Sequence, residues 1–168
     1  LSPLSNFRND AYGGSFENRI RLLCETVLEV RKVWPDDLPL WVRISTTDWV
    51  EGGWTIEDSI QLAAILKPLG VDLLDCSSGG NSPLQKIPVG PAYQVPFAER
   101  IRKETGMATA AVGMVTTPKQ CEDIITRGQA DMVLLAREFL RNPYFPMQAA
   151  KELGVDIAWP SQYLRAKG

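Results

Sequence analysis

Histidine is absent from this sequence of 168 residues, and cysteine occurs only three times. The lack of histidine excludes a Ser-His-Asp triad, histidine acid–base catalysis and histidine metal ligands within this chain. Cys24, Cys76 and Cys121 are odd in number and have no paired spacing, which argues against a disulfide framework and against a zinc site. Unpaired cysteines indicate a reducing compartment, so we expect a cytoplasmic protein.

Long apolar runs and an excess of one charge are also missing. No run approaches the roughly 20 apolar residues of a membrane span, and 18 basic residues stand against 20 acidic ones. We therefore expect neither a nucleic-acid partner nor a membrane partner. The first six residues contain neither the features of a signal peptide nor an initiator methionine, so we expect the sequence to begin inside a longer protein.

What the sequence does contain is a regular alternation of short apolar runs and amphipathic stretches. The runs predict strands at 38–45, 71–76, 108–112 and 131–135, and the amphipathic periodicity predicts helices at 16–33, 56–69, 95–104, 117–128 and 142–153. Buried strands that alternate with helices indicate a parallel β/α architecture. We interpret 1–168 as a single partial domain, with a loop at 1–15 and a C-terminal tail at 155–168.

Two closures of such a sheet are possible, an open doubly wound sheet and part of an eight-stranded barrel. No Gly-x-Gly-x-x-Gly follows the first strand, which weakens the dinucleotide-binding alternative. Gly113 and the pair Ala136-Arg137 follow the third and fourth strands. A phosphate site after the last two strands is frequent in barrel enzymes, so we predict an α/β fold that forms the C-terminal half of a TIM (β/α)8 barrel.

Charged residues near the strand ends carry the chemical signal. A small residue, a cation and a helix start at Ala136-Arg137 can hold a phosphate group, although an ordinary strand exit with a solvated arginine is the alternative. Arg43 lies within an apolar strand and is predicted to be buried, so it needs a polar partner, which a structural ion pair could supply. Asp72 and Asp75 are interpreted as turn or ion-pair residues. Trp41, Trp49, Trp54 and Cys76 are interpreted as packing residues.

Six motifs in a fixed order carry a resemblance to a known family. They are 1–6 LSPLSN, 10–19 DAYGGSFENR, 41–45 WVRIS, 72–80 DLLDCSSGG, 111–114 AVGM and 136–143 AREFLRNP. Together they resemble the old yellow enzyme family of FMN-dependent ene-reductases, in its bacterial NADPH dehydrogenase and xenobiotic reductase branch. The Tyr-Gly-Gly-Ser-x-Glu-Asn-Arg run is the most specific of the six, and the resemblance covers essentially the whole chain.

The resemblance implies FMN at the carboxyl ends of the strands of an eight-stranded barrel. By the same resemblance, Arg43 matches an arginine that faces the pyrimidine edge of the flavin, and Gly113 matches a glycine whose backbone lies against the phosphate. Ala136 and Arg137 match the pair that closes on that phosphate, where many members have glycine instead of Ala136. Arg165 resembles a C-terminal arginine that enters the active site of a neighbouring subunit.

The resemblance also implies a reaction, in which NADPH reduces FMN and a hydride passes to an activated alkene. The family's first four strands carry its substrate-binding histidines and proton-donating tyrosine, so we expect no catalytic residue and no metal ligand in this chain, which alone is predicted to be inactive. One alternative is a half-barrel that self-associates or pairs with a complementary half through its sheet edges. Another is a different phosphate-binding barrel enzyme, such as an aldolase or isomerase, which accounts for Gly113 and Arg137 but not for Arg43.

Overall fold

Four parallel strands alternate with helices in the computed structural model, which describes residues 1–167. The elements, in chain order, are α1 (Phe16–Arg31), β1 (Trp41–Ser45), α2 (Ile56–Leu66), β2 (Leu73–Ser77), α3 (Val95–Thr105), β3 (Ala108–Ala111), α4 (Pro118–Thr126), β4 (Met132–Val133), α5 (Arg137–Arg141) and α6 (Phe145–Glu152). A short 3-10 helix, Lys67–Leu69, extends α2, and another, Ser161–Ala166, lies in the C-terminal tail.

The strands lie side by side in chain order, β1-β2-β3-β4, and every pair is parallel. In a doubly wound sheet the strand order reverses at a switch point, whereas in a barrel each new strand is added on the same side. No reversal occurs among the four strands of the described residues. The predicted half-barrel arrangement is therefore the one observed.

Three helices begin at the residues that the sequence indicates. The Ser15 hydroxyl accepts a hydrogen bond from the Asn18 amide at the start of α1, and Thr55 and Thr117 form reciprocal capping boxes at the starts of α2 and α4. Such caps satisfy backbone amides that have no intrahelical partner, and each contributes about 1 kcal/mol. At α2 and α4, these caps fix where the helix leaves the loop at the carboxyl end of the preceding strand.

The hydrophobic core lies between the sheet and the helices. Its fully buried side chains include Leu62, Leu66, Leu74, Cys76 and Ile101, which have no exposed surface. Burying a side chain of the size of leucine or isoleucine stabilises the fold by roughly 1.5–3 kcal/mol. The core on this helix-facing side of the sheet holds the strand ends in fixed relative positions.

The opposite face of the sheet is here called the inner face, and its side chains on β1 are exposed to solvent. The register aligns Arg43 with Asp75, Asp75 with Ala110, and Ala110 with Met132, so these side chains share that face. Trp41 on the same face is 46% exposed, and its interpretation as a packing residue stays a prediction. The reason for this exposure is that, within residues 1–167, β1 has a strand neighbour on one side only.

Two strand predictions need correction. The fourth strand was predicted at 131–135 and fully buried, but β4 contains only Met132–Val133 and is half-buried, because β3 is its only strand neighbour among the described residues. The first strand begins at Trp41 instead of residue 38. The side chain of Arg43, predicted to be buried, is 56% exposed because β1 is an edge strand.

The two terminal segments lie outside the alternation of strands and helices. Residues 1–15 contain no helix or strand and are held to the domain by Ser2, whose hydroxyl donates to the buried Asp48 carboxylate at 2.6 Å. The tail runs along the surface to residue 167, and Gly168 lies outside the described residues. Over residues 1–167 no helix is long and apolar enough to cross a membrane, and no group of three potential metal ligands occurs.

Candidate functional site

The carboxyl ends of all four strands surround one polar cavity of about 290 Å³. Arg43 from β1, Gly113 after β3, and Ala136 and Arg137 after β4 all line it. Parallel strands bring their carboxyl ends to one edge of a sheet, which is where barrel enzymes hold their ligands. The structure therefore brings together the four residues that the sequence singled out for cofactor binding.

Arg43 is held by two polar partners on the neighbouring strand. Its Nη1 donates to Asp75 Oδ2 at 2.7 Å, and its Nη2 donates to Ser77 Oγ at 3.2 Å. The structural ion pair considered for Arg43 and for Asp75 is therefore present. Because the arginine also lines the same cavity as Arg137, the ion pair orients its guanidinium without removing it from the site.

Asp75, the partner of Arg43, is a buried charged group with 7% of its surface exposed. Its Oδ2 accepts from Arg43, whereas its Oδ1 is buried and has no hydrogen-bond partner among residues 1–167. A buried acceptor without a donor is unfavourable by about 1–3 kcal/mol, so such atoms usually mark a functional site or a position for water.

Gly113 occupies a position that no other residue can adopt without strain. Its φ is +118°, and a Cβ built on it would lie 2.7 Å from Gln94 Nε2 and 3.1 Å from Tyr93 Cε1. Glycine is required here both by the backbone conformation and by the lack of space. Its exposed backbone can therefore approach a bound group closely.

Arg137 is the cation of this cavity that no carboxylate neutralises within residues 1–167. Arg43 pairs with Asp75, and Glu138 pairs with Arg141, but Arg137 forms no ion pair there. The cavity is left with a net positive charge, which favours an anionic ligand. Because α5 has only five residues, its dipole is weak, so of the features predicted to hold a phosphate the arginine charge supplies most of this preference.

Sequence reasoning missed several polar residues of the site. Ser78 and Gln94, in the segment between β2 and α3, were not identified from the sequence. Gln94 is 3% exposed and bridges two strand-end loops, accepting from Ser78 Oγ at 2.5 Å and donating to the Val112 carbonyl at 3.1 Å. A glutamine at a helix start carries no sequence signal for such a bridge.

Arg165 is not part of this cavity. It lies exposed in the 3-10 helix Ser161–Ala166 of the C-terminal tail. Its suggested contact with a neighbouring subunit stays a prediction.

A larger cavity of about 610 Å³ runs along the free edge of β1 and is lined partly by Leu22 and Leu23. Its lining is mainly apolar, although Arg43 reaches it, whereas the smaller cavity is polar and brings together residues at the ends of all four strands, so we assign the chemistry to the smaller cavity. Cys76 is also not a candidate reactive residue, because burial in the core raises the pKa of its thiol to about 12.

Comparisons with known proteins agree with this geometry. The sequence profile of the NADH:flavin oxidoreductase / NADH oxidase family matches residues 1–156. The chain belongs to this family. It is 55% identical over 166 residues to an NADPH dehydrogenase of Halalkalibacterium halodurans, and 53% identical over 165 residues to one of Geobacillus thermodenitrificans. The matches cover 99% and 98% of this chain but 48% of each relative, so the chain spans about half the length of these curated relatives.

Solved structures give the same fold. A 2-naphthoyl-CoA reductase superposes with a TM-score of 0.81 at 29% identity, covering 90% of this chain and 24% of that protein. Histamine dehydrogenase from Rhizobium sp. 4-9 superposes with a TM-score of 0.73 at 25% identity, and the match covers 92% of this chain and 22% of that protein. The family membership confirms the predicted relationship and argues against the aldolase or isomerase alternative. It also supports FMN as cofactor.

Proposed function

We propose that this chain forms the FMN-binding part of an NADPH-dependent flavin oxidoreductase that reduces the C=C bond of a small activated alkene. The observation that carries the proposal is the convergence of Arg43, Gly113 and Arg137 on one net-positive cavity at the carboxyl ends of the strands. An anionic phosphate attached to an extended aromatic ring system fits this arrangement of charge and backbone. Family membership supports the choice of a flavin nucleotide.

The chemistry of the lining groups fits FMN. The cavity volume of about 290 Å³ is near the lower limit of small-molecule sites, roughly 300 Å³, so its walls match part of a cofactor. The phosphate part suits Gly113, which lets the backbone approach, and Arg137, whose guanidinium can donate two hydrogen bonds to phosphate oxygens. The rest of the ligand would extend from there over the open inner face of the sheet, where Arg43 lies.

Each residue of this chain then has a defined task. Gly113 and the backbone at Ala136 contribute space and N–H groups, and Arg137 contributes the counter-charge. Arg43, fixed by Asp75 and Ser77, places a positive charge beside the pyrimidine edge of the ring, where it stabilises negative charge. Bound FMN supplies the hydride chemistry between NADPH and the alkene. The groups that hold the alkene and donate a proton to it are proposed to lie outside this chain.

The proposal is tested by flavin binding and by turnover in the full-length gene product. We expect a yellow protein that binds FMN stoichiometrically, is bleached by NADPH without oxygen, and regains its colour when an α,β-unsaturated ketone is added. NADH in place of NADPH tests the reductant. A colourless protein that takes up no added FMN would contradict the proposal. Binding of FMN with bleaching but no response to the ketone would limit the error to the substrate class.

A second candidate function is a half-barrel that pairs with a complementary half or with a second copy. The favouring observation is the unpaired edge of β1, beside which lie the half-exposed Trp41 and the cavity of about 610 Å³. Unpaired edges recruit further strands. Native mass spectrometry of the 168-residue chain distinguishes the cases, because a monomer that binds FMN favours the first proposal and a dimer without FMN favours the second.

A further inference from the structure

A directional chain of hydrogen bonds crosses the loops that follow three strands. Trp49 Nε1 donates to Ser78 Oγ at 2.9 Å, Ser78 Oγ donates to Gln94 Oε1 at 2.5 Å, and Gln94 Nε2 donates to the Val112 carbonyl at 3.1 Å. Both ends have fixed polarity, since an indole N–H only donates and a backbone carbonyl only accepts. The amide orientation of Gln94 is therefore determined by the network itself.

Gln94, the middle residue of this series of hydrogen bonds, does not use its side chain to cap the helix that it precedes. Gln94 is the N-cap residue of α3, yet its side chain forms no cap hydrogen bond to that helix. It is 3% exposed, and both ends of its amide are committed to neighbouring loops. A buried side chain with both polar ends satisfied holds its partners more rigidly than a solvated one.

The Val112 carbonyl belongs to the same peptide unit as the N–H of Gly113. Every peptide bond among the described residues is trans, so this carbonyl and this N–H point in opposite directions. By holding the carbonyl, Gln94 directs the Gly113 N–H away from its own side chain. That N–H donates to no acceptor within residues 1–167 and remains available at a cavity that Arg137 also lines.

We propose that Gln94 is a positioning residue that orients the Val112–Gly113 peptide toward the phosphate group of the cofactor, with Trp49 and Ser78 as its supports. This inference rests on the proposed function, which places an FMN phosphate at Gly113 and Arg137. It goes further by naming a buried residue that acts on the phosphate through another residue's backbone. The expected consequence is selective, because only the phosphate part of the ligand depends on this peptide.

The decisive measurement compares FMN with riboflavin, which has the same ring system and no phosphate. In the full-length gene product, Gln94→Met keeps the length and the apolar packing of the side chain and removes both hydrogen bonds. We expect FMN to bind roughly 10-fold more weakly, the effect of misdirecting one charge-assisted hydrogen bond. Riboflavin affinity should change less than about 3-fold. Flavin fluorescence titration measures both affinities.

Gln129→Met is the matched control. Gln129 is half-buried and donates to Glu99 Oε2 at 2.9 Å, but it precedes β4 and so lies at the opposite end of the strands from the cavity. This variant should leave the preference for FMN over riboflavin unchanged. Ser78→Ala keeps the Gln94–Val112 bond and removes its support, so it should weaken FMN selectively but by a smaller factor than Gln94→Met. It also serves as the test if Gln94→Met does not fold.

The outcomes separate the two proposals. If the unmodified protein binds neither flavin, the proposed function fails. If the unmodified protein prefers FMN and the Gln94 and Ser78 variants keep that preference, the positioning role is wrong while the proposed function stands. An equal loss of both flavins in these variants would assign the network a purely structural role and would overturn the positioning role as well. A selective loss of FMN supports it.

Discussion

The two ends of the sheet use arginine in opposite ways. At the amino ends of the strands, Arg31 donates to the Gly70 carbonyl and to Asp72, and Arg102 donates to Asp131. At the carboxyl ends, Arg43 has a buried partner and still lines the cavity, and Arg137 has no ion pair within residues 1–167. The amino-end arginines join elements of the fold to one another, whereas the carboxyl-end arginines are available to a ligand. This division matches that between stability and chemistry in barrel enzymes.

The same division explains where backbone strain is tolerated. Gly113 combines φ of +118° with contacts that exclude a side chain, and it lies in the cavity. Gly154, after α6, also has a positive φ of +69°, but no atom lies within 4 Å of the Cβ position. Gly113 is required by both its surroundings and its backbone conformation, whereas Gly154 is required by its backbone conformation alone. Substitutions at the two positions therefore distinguish the effect of backbone strain from the effect of damage to the cavity.

Gly113→Ala should have the largest effect. A Cβ only 2.7 Å from Gln94 Nε2 must displace either the glutamine or the peptide that binds phosphate, and the positive φ adds roughly 1–3 kcal/mol of strain. We expect FMN affinity to fall at least about 100-fold, since more than one polar contact to phosphate is lost. Gly154→Ala should lower the free energy of unfolding by about 1 kcal/mol through its φ alone and leave FMN binding intact. Equal FMN affinity in the two variants would refute the assignment of the cavity.

Arg31→Met should have the next largest effect, and on stability only. The Arg31 side chain is 16% exposed and also donates to the Leu38 carbonyl at 3.1 Å, so its loss leaves several acceptors without a donor. We expect the free energy of unfolding to fall by about 2 kcal/mol, measured by urea denaturation. The neighbouring Lys32→Met removes a solvent-exposed ion pair with Glu29 and should change stability little. Weaker FMN binding in folded Arg31→Met would break the proposed separation of the two ends.

Arg137→Gln tests the carboxyl end of the sheet, where we expect an effect on FMN binding and none on stability. Because the arginine forms no ion pair within residues 1–167, we expect the thermal midpoint to stay within about 2 °C of the original. FMN affinity should fall roughly 10- to 100-fold with riboflavin unaffected, the effect of losing a bidentate contact to phosphate. Arg102→Gln removes the ion pair with Asp131 at the other end and should leave FMN affinity unchanged. A lower midpoint without a change in FMN affinity would make Arg137 a structural residue.

Much of the fold could be predicted because its signals are local. Ser15, Thr55 and Thr117 mark three helix starts, and the apolar runs mark the four strands. The lengths of the edge strands could not be predicted, because a strand ends where its neighbour ends. Met132–Val133 is short because β4 pairs with β3 alone among the described strands.

The site was predicted where residues follow strand ends and missed where tertiary contacts decide. Arg43, Gly113 and Arg137 lie at or near strand ends, and parallel strands bring such positions together without further information. Gln94 contacts Ser78 and Val112, residues 16 and 18 positions away in the chain, and no spacing rule connects them. The partner of Arg43 was left open between an ion pair and a ligand, and the structure shows the ion pair with Asp75 in an arginine that also lines the cavity.

Asp75→Asn should have the smallest effect and tests the Arg43 half of the cavity. Asparagine keeps an oxygen that can accept from Arg43 and removes the negative charge that offsets the guanidinium. Two unit charges about 10 Å apart interact by roughly 1.7 kcal/mol at an effective dielectric constant of about 20. Because a reduced flavin carries negative charge, losing the carboxylate should stabilise that form and raise the two-electron potential of bound FMN by about 20–40 mV. Asp72→Asn, at the amino end, should leave the potential unchanged. A potential that shifts equally in both variants, measured against reference dyes, would place the flavin ring away from Arg43.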